Sequence, residues 1–553
     1  MRSLRFIAFA LVLATRVACA APQIIVAHAD VFTADPSLPR AQAVAIEDGR
    51  FVAVGSDRDI LALASPSTRV VDARGRLVTP GLVEAHVHLG AALPVFATPS
   101  APLAMRDVPG AGPTGDEALA LVAAAAQKPG DWITGFIGPI VARDPRNWRA
   151  ALDAVAHGRP VMLRAFWGHT TILDSAALRQ LGIDEDARDP IGGWWGRDAA
   201  GRLDGRAYES AEWIGWDRIA PPDASRLAAV FQEASDRYAR WGVTSIHLMN
   251  NGRTPRVAIE ALGRLKAGHK WTVYAWGPGL PEIAAAWQAI DDVPLPRPPR
   301  VRVDGPKWIL DGTPIEENAW QRDPYPDRPG WRGRSNLTDA QVREVLERAL
   351  RRPEQPILHV VGDAETDRLF GTMLSLAPPA VWAAKRVRVE HGDGIRAETL
   401  AIARELGVVV TQNPTHLAPQ STGTPAPARV LLLRSLLEAG IPLALGSDAG
   451  GDAMNPFLNM MLATTYASAP REALTREQAL LAYTSGGAYA ERQEASKGRI
   501  VAGMAADMAM LSQHVLQVPA SALPATRSVL TIVDGTIVFE DPVVSAEGPV
   551  APR

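Results

Sequence analysis

Short apolar runs recur along the chain and are separated, in most cases, by stretches long enough for a helix. Eight of these runs have the length of buried strands, and they cover residues 83–88, 243–249, 271–276, 308–310, 357–361, 387–391, 408–412 and 442–447. Apolar runs that alternate with helical stretches are typical of an α/β protein with a parallel sheet. Eight such units predict a (β/α)8 TIM-like barrel whose functional face lies at the carboxyl ends of its strands.

Two of the segments that follow these runs carry a helix start signal. Thr338 with Gln341, and Thr475 with Gln478, have the three-residue spacing of a capping box. In that motif each side chain accepts a backbone N–H of the first turn that has no partner within the helix. We therefore predict amphipathic helices that begin directly after Thr338 and Thr475.

Both ends of the chain have the pattern of β-hairpins. Asp48-Gly49 and Asp534-Gly535 each separate two apolar runs, and an Asp-Gly pair favours the two-residue turn of a hairpin. Two β-rich pieces at opposite ends of a chain can pair into one sheet. We predict a small β-sandwich domain built from residues 21–79 and 491–545, with the barrel at residues 80–490 between them.

A long segment interrupts the series after the first strand. About 150 residues separate the first apolar run from the second, far more than one crossover needs. Two further apolar runs lie inside it, at residues 132–137 and 161–166. We interpret residues from about 90 to 235 as an insertion that partly covers the active face. Its tryptophans, Trp194, Trp195, Trp213 and Trp216, are expected to be packing residues, and the alternative is a wall for an apolar or aromatic substrate group.

Composition and charge narrow the function classes. The 553 residues are 47% hydrophobic and 21% charged, as in an ordinary soluble globular protein, and the formal net charge is −3. Because the chain has no block of basic residues, nucleic acid and anionic membranes are not expected partners. A small-molecule substrate is the expected partner, and the oligomeric state is not readable from the sequence.

The first twenty residues have the layout of a secretory signal peptide. Arg2 and Arg5 precede a short apolar run, and Ala18-Cys19-Ala20 offers small residues at a cleavage site. We predict that residues 1–20 are removed and that the protein is periplasmic or secreted. No other segment is long and apolar enough to span a bilayer. Cys19 is the single cysteine of the chain, so the mature protein would have no thiol ligand and no disulfide.

Two histidines at the end of the first strand are the strongest chemical signal. Side chains alternate along a strand, so His86 and His88 leave the same face and form a pair of imidazole ligands for a divalent metal. Lys307, His359, His391 and Asp448 fall at or beside the carboxyl ends of later strands. In a barrel, these positions converge on one cavity.

The motifs around these residues resemble those of the amidohydrolase superfamily, and most of all its amidohydrolase-3 (YtcJ-like) branch. The segment Pro-Gly-Leu-Val-Glu-Ala-His-Val-His at 80–88 matches the opening histidine pair of that family. Segments at 305–312, 359–363 and 388–391 resemble those that bear its strand-4 lysine and its strand-5 and strand-6 histidines. Leu-Gly-Ser-Asp-Ala at 445–449 matches the strand-8 aspartate, and Lys-Gly-Arg-Ile at 497–500 resembles the return into the terminal β-sandwich. The resemblance runs over nearly the whole mature chain.

The resemblance implies two divalent metal ions. His86 and His88 would share the first ion with Asp448, and His359 and His391 would hold the second. Lys307 would be carboxylated by carbon dioxide, and the anionic carbamate would bridge both ions. Two close ions lower the pKa of a shared water and polarise the carbonyl that it attacks. Histidine and carboxylate ligands suit zinc first, with manganese, cobalt, nickel and iron also open.

The resemblance also implies which residues act in the reaction. Asp448 would take the proton of the attacking water and pass it to the leaving group. His391 joins it as a catalytic residue, and His169 is a candidate for binding the substrate carbonyl or the oxyanion. Trp167 and His416 are further candidates for substrate contact. The branch has an acidic residue where this chain has Trp167, so the resemblance does not extend to the usual substrate contact at this position.

Motifs and resemblance together predict a metal-dependent amidohydrolase that cleaves a non-peptide carbon–nitrogen bond in an amide or N-acyl substrate. The same fold could hydrolyse an ester, a lactone or a phosphoester, since the same nucleophile attacks those centres. A third reading keeps one metal ion and deaminates a ring. The distant alternative is a periplasmic binding protein without chemistry, which has no need for Asp448 beside a metal pair.

Overall fold

The computed structural model describes residues 21–89, 113–128, 130–165, 167–219, 223–249, 255–266, 268–417 and 430–542. The signal peptide predicted for residues 1–20 lies outside these residues and stays a prediction. Within the part of the chain that is described, no helix is both long and apolar enough to cross a membrane.

The strands fall into four sheets. In chain order they are β1 (Ile24–Ala27), β2 (Asp30–Phe32), β3 (Arg40–Ala41), β4 (Ala43–Glu47), β5 (Arg50–Gly55), β6 (Arg69–Asp72), β7 (Leu77–Pro80), β8 (Leu82–Val87), β9 (Ile133–Ile137), β10 (Val161–Ala165), β11 (Thr170–Leu173), β12 (Gly193–Arg197), β13 (Leu203–Glu209), β14 (Val243–Met249), β15 (Lys270–Trp276), β16 (Val301–Ile309), β17 (Ile357–Val360), β18 (Arg388–His391), β19 (Val409–Gln412), β20 (Leu443–Leu445), β21 (Met508–Leu511), β22 (Ser528–Val533) and β23 (Thr536–Glu540).

Eight parallel strands form the barrel, in the order β8-β14-β15-β16-β17-β18-β19-β20. Strands β20 and β8 meet at the closing edge, where the backbone N–H of Asp448 donates to the carbonyl of His86 at 2.8 Å. Each of the eight predicted runs overlaps one of these strands, and the barrel is confirmed. These strands read as continuous apolar runs because helices and interior side chains cover both of their faces.

One barrel strand is longer than the sequence predicts. The apolar run at 308–310 is only the end of β16, which begins at Val301 and includes Gly305-Pro306. Glycine and proline argue against a strand on local grounds. Pairing with β15 on one side and β17 on the other overrides that local preference.

The helices lie mainly between the barrel strands and in the insertion. They are α1 (Asp57–Leu61), α2 (Gly115–Ala126), α3 (Pro139–Arg143), α4 (Trp148–Asp153), α5 (Ser175–Gln180), α6 (Ser210–Ile219), α7 (Ala224–Arg240), α8 (Pro255–Leu262), α9 (Ile283–Asp291), α10 (Asp339–Arg351), α11 (Asp363–Leu376), α12 (Pro379–Lys385), α13 (Leu400–Glu405), α14 (Leu433–Glu438), α15 (Pro456–Thr465), α16 (Arg476–Ala482) and α17 (Ser485–Ala490), with short 3-10 turns at Ala397–Thr399, Pro414–Leu417, Gly451–Met454 and Ala520–Ala525. Both predicted capping boxes are present, at Thr338 before α10 and at Thr475 before α16.

The two ends of the chain build further sheets beside the barrel. One has the order β5-β4-β1-β6 and the other β3-β2-β7-β21-β22-β23, so β7 from the first end pairs with β21 from the second. Both predicted hairpins form, with Asp48 at φ +45° and Asp534 at φ +44°. The two turns touch, and a Cβ on Gly535 would lie 2.9 Å from the Cα of Gly49, so glycine is needed at this approach. The predicted fold class is confirmed, and the domain boundaries stay predictions.

The segment between β8 and β14 carries its own mixed sheet, in the order β12-β13-β11-β10-β9. The apolar runs predicted at 132–137 and 161–166 become β9 and β10, which pair in parallel. Trp194 and Trp195 are buried, and Trp194 stacks on Tyr208 at 4.8 Å between ring centroids, as expected of packing residues. The Trp213 ring instead lies edge-on to Trp276 of the barrel at 6.0 Å. The side chain of Trp216 is outside the described part.

Candidate active site

The barrel brings the six predicted metal-site residues to one end. His86 lies near the end of β8, and His88 directly follows that strand. His359 and His391 lie in β17 and β18, and Lys307 lies two residues before the end of β16. Asp448 follows β20. Because the strands are parallel, their carboxyl ends share one face of the barrel, and the side chains meet there.

The Asp448 carboxylate lies between two pairs of histidines. Its Oδ1 is 3.6 Å from Nε2 of His86 and 3.7 Å from Nε2 of His88. Its Oδ2 is 3.6 Å from Nε2 of His416 and 4.0 Å from Nε2 of His391. Two ligands that each lie 2.0–2.2 Å from one tetrahedral ion are themselves about 3.4 Å apart. The separations on both sides of the carboxylate suit ligands that share a cation.

Lys307 lies against the first histidine pair. Its Nζ is 3.1 Å from Nε2 of His86 and 3.2 Å from Nε2 of His88, and the two imidazole nitrogens are 3.3 Å apart. Burial disfavours the ammonium form and lowers the pKa of Lys307 to about 8. The lysine is therefore nearer to a neutral amine than an exposed lysine would be.

His359 and His391 are buried beside each other, with ring centroids 4.5 Å apart. Burial holds the pKa of both imidazoles well below the usual range, which leaves them in the neutral form that binds metals. Nε2 of His359 finds no hydrogen-bond partner among the described residues. A buried polar nitrogen without a hydrogen-bond partner destabilises the fold, and a metal ion bound to that nitrogen would remove this cost.

In three groups of residues, the possible ligand atoms lie close enough together to share one metal ion. These groups are His86, His88 and Asp448; His391, His416 and Asp448; and His169, Glu209 and Glu316, with the ligand atoms of each group within 4.8 Å of one another. Imidazole and carboxylate donors suit zinc and related divalent ions. The first group is the set predicted for one ion. The second group shares His391 with the set predicted for the other ion, but it contains His416, predicted as a substrate contact, and not His359.

Two buried carboxylates that the sequence analysis missed hold the first histidine. Glu390 contacts Nδ1 of His86, and Arg388 donates to both Glu390 oxygens, at 2.5 and 3.1 Å. Glu84 accepts the backbone N–H of His86 at 3.0 Å and that of Ser447 at 2.7 Å. A sequence signal existed for Glu84, since it is two residues before His86 and therefore on the same strand face.

His247 also lies in the barrel interior, and it belongs to the supporting network. Its Nδ1 accepts from Arg388 at 2.9 Å, and its Nε2 lies 3.1 Å from Glu491. It is fully buried, so its role is to support the residues around it.

The insertion delivers His169 to the same cavity. The ring lies 5.5 Å from the His359 ring, and Nδ1 lies 2.9 and 3.0 Å from the two Glu209 oxygens. Burial disfavours the charged form, but the Glu209 carboxylate outweighs it and raises the pKa of His169 to about 9. Trp167 donates its indole N–H to Glu316 at 2.9 Å. A carboxylate from the loop after β16 thus lies beside the tryptophan that replaces the acidic residue of the family pattern.

An aromatic wall borders the first histidine pair. The Trp276 ring is edge-on to His88 at 6.0 Å, and the Lys307 Nζ is 5.7 Å from the centre of that ring. Arg164 lies over the Trp213 ring at 4.8 Å and pairs with Glu212. Trp276 ends a predicted strand, but its place at the site depends on the closed barrel and could not be predicted from its own position.

Fold and site together define a metal-dependent hydrolase built on a (β/α)8 barrel. A family model described as "Amidohydrolase family" matches residues 69–539, and the chain belongs to that family. The predicted resemblance and the predicted enzyme class are confirmed.

Relatives support this assignment along most of the chain. The chain is 25% identical over 558 residues to the N-substituted formamide deformylase of Arthrobacter pascens, covering 94% of this chain and 98% of that protein. It is 23% identical over 527 residues to the putative amidohydrolase YtcJ of Bacillus subtilis, covering 91% and 96%. A solved structure of an uncharacterised metal-dependent hydrolase from Pyrococcus horikoshii has the same fold, with a TM-score of 0.64 and 19% identity over 90% of this chain and 99% of that one.

Proposed function

We propose that the protein hydrolyses a carbon–nitrogen bond in a non-peptide amide or N-acyl compound. The observation that carries the proposal is the Asp448 carboxylate, which offers one oxygen to each of two histidine pairs. Family membership supports the hydrolase, and the name of the formamide deformylase relative supports the carbon–nitrogen bond.

The imidazole and carboxylate donors of the site suit two divalent ions. His86, His88 and Asp448 would hold one, and His359 and His391 would hold the other with Asp448 close by. Zinc is the first choice for these donors. When bound, such ions lower the pKa of water and polarise a substrate carbonyl.

Lys307 fits the proposed carbamate. A neutral amine can attack carbon dioxide, forming an N–C bond and losing one proton, and burial, which lowers the pKa of Lys307 to about 8, makes more of this amine neutral than in an exposed lysine. An ammonium at 3.1 Å from Nε2 of His86 would repel a cation held there. The carbamate would replace that positive charge with a negative one.

Asp448 is the proposed proton carrier. Burial alone would raise its pKa, but the surrounding imidazoles, His86 first, and a hydrogen bond from His416 outweigh burial and hold the pKa well below the usual range. The side chain is therefore an acceptor that can take a proton from attacking water. It can then give that proton to the leaving nitrogen, which must be protonated to depart as an amine. His169, whose ring lies 5.5 Å from the His359 ring, would contact the carbonyl oxygen from the insertion side.

The test is an activity screen of zinc-reconstituted protein on N-formyl, N-acetyl and N-aroyl amines, with the matching esters and lactones alongside. We expect amide turnover that is lost in Asp448→Asn while the fold, measured by circular dichroism, is kept. Turnover of the esters alone would replace the proposal with an esterase, and full amide turnover by Asp448→Asn would end it.

A further inference from the structure

We infer that Glu209 is a positioning residue, which fixes the His169 imidazole at the reaction centre, so that the insertion supplies part of the catalytic site. This inference rests on the proposed function. Glu209 had no place in the sequence motifs, and its proposed role follows from its contacts.

The topology of the insertion joins the two residues. His169 directly precedes β11 and Glu209 ends β13, and these strands pair antiparallel with Thr170 opposite Tyr208. The backbone N–H of Glu209 donates to the carbonyl of His169 at 3.1 Å. Its carboxylate oxygens lie 2.9 and 3.0 Å from Nδ1 of the same histidine. The main-chain bond fixes the two residues side by side, and the carboxylate contacts restrict rotation of the ring.

The backbone of Glu209 shares an uncommon conformation with three residues of the site. His169, His391 and Asp448 have φ of +70°, +66° and +46°, and Glu209 has φ of +54°. Residues other than glycine rarely adopt this left-handed conformation, and it costs about 1–3 kcal/mol where the surroundings impose it. Such residues cluster at functional sites, so the conformation of Glu209 agrees with a place in this one.

Packing alone does not explain why the Glu209 carboxylate is buried. Only 1% of the residue is exposed, and His169 is the one side chain among the described residues that the structure shows hydrogen-bonded to its carboxylate. A buried carboxylate costs more than an apolar side chain of the same size unless it is paired. Because Nδ1 is occupied by Glu209, Nε2 is the nitrogen that His169 has left for a substrate. An imidazole held this way is oriented before the substrate arrives.

The experiment uses His169→Ala, Glu209→Ala, Glu209→Gln and the double variant of the two alanine changes, all zinc-loaded. We expect each alanine change to lower kcat/KM by about 100-fold, as the loss of one aligned donor does. The double variant should be no worse than the more severe single one, because Glu209 acts through His169. Glu209→Gln keeps an acceptor for Nδ1–H and should recover most of the rate.

Asp174→Asn is the matched control within the same insertion. Asp174 is also buried, and it accepts the backbone N–H groups of Val161 and Ala177 at 3.0 and 2.7 Å, so its role is structural. Its effect on kcat/KM should be small and should multiply with that of His169→Ala. If the separate losses of kcat/KM in Glu209→Ala and His169→Ala multiply in the double variant, the inference is overturned.

A second readout does not depend on activity. In protein with 15N-labelled histidine, the His169 signal, assigned by its absence in His169→Ala, should shift in Glu209→Gln and stay unchanged in Asp174→Asn. An unshifted signal in Glu209→Gln would also overturn the inference. If the wild-type protein turns over no amide, the proposed function fails, while the spectrum still reports on the Glu209–His169 pair.

Discussion

Glu390, which directly precedes His391 in the chain, contacts Nδ1 of His86 with its carboxylate from across the barrel. Adjacent residues of a regular strand point to opposite faces, yet both Glu390 and His391 reach the His86 side chain. The left-handed backbone of His391, at φ +66°, ends the regular strand and allows both contacts. Glu390 thereby fixes which nitrogen of His86 is free to bind an ion.

Glu390→Gln should therefore weaken metal binding. Carboxylate partners of ligating histidines orient the ring, and their loss usually costs 10- to 100-fold in metal affinity. The measurement is competition for zinc against a chromophoric chelator. The control is Glu494→Gln, which removes a carboxylate paired with Arg386 at 2.8 Å. Equal zinc affinity in wild type and Glu390→Gln would contradict the assigned role.

The sequence was sufficient for the barrel because its strands are apolar throughout and end in polar ligands. His86, Lys307, His359, His391 and Asp448 could be placed together once eight strands were counted, since parallel strands put their carboxyl ends on one face. Both hairpins followed from Asp-Gly turns, whose local chemistry does not depend on the rest of the chain.

The remaining parts of the site depend on contacts between distant elements. Glu390 and Trp276 acquire their roles from the way the barrel closes, and Glu209 acquires its role from the fold of the insertion. The first half of β16 is held by its neighbours against a local Gly-Pro signal. No periodicity in a single sequence reports such pairings, which is why these features were missed.

Lys307→Ala should lower both metal content and activity. The change removes the group that would become a carbamate, which lies 3.1 Å from Nε2 of His86 and 3.2 Å from Nε2 of His88. Added short carboxylates such as acetate or propionate should restore part of both, because they return an anion to the vacated space. Metal analysis and kcat are the measurements. Unchanged metal content and turnover in Lys307→Ala would remove the carbamate from the mechanism.

His359 and His416 should differ in their effect on the second ion. His359 is buried with no partner for Nε2 among the described residues, whereas the nitrogens of His416 face Asp393 and Asp448 at 3.9 and 3.6 Å. We expect His359→Asn to bind one ion per chain and His416→Asn to keep two ions with a raised KM. Metal stoichiometry by mass spectrometry decides this. Loss of an ion in His416→Asn alone would make His416 the ligand.

A buried ion pair beneath the site should be important for stability. Glu491 contacts Lys497 and accepts from Thr272 at 2.7 Å, and it lies 3.1 Å from Nε2 of His247. Lys497→Met should lower the free energy of unfolding by about 3–5 kcal/mol, because it removes the lysine that pairs with a buried carboxylate. The double change Glu491→Gln with Lys497→Met should recover part of that loss. Thermal unfolding measures both, and a double variant less stable than Lys497→Met would contradict the account.

The same pair predicts how stability depends on pH. Burial would raise the pKa of Glu491, but Lys497 and His247 outweigh burial, and folding lowers the pKa well below the ordinary value of 4.5. A group whose pKa falls on folding contributes stability that is complete above the unfolded-state pKa and declines as the pH drops below it. The gap in unfolding midpoint between wild type and Lys497→Met should therefore be widest near neutral pH and narrow below pH 4.5. A gap that stays constant from pH 7 to pH 3 would show that Glu491 is not ionised in the folded protein.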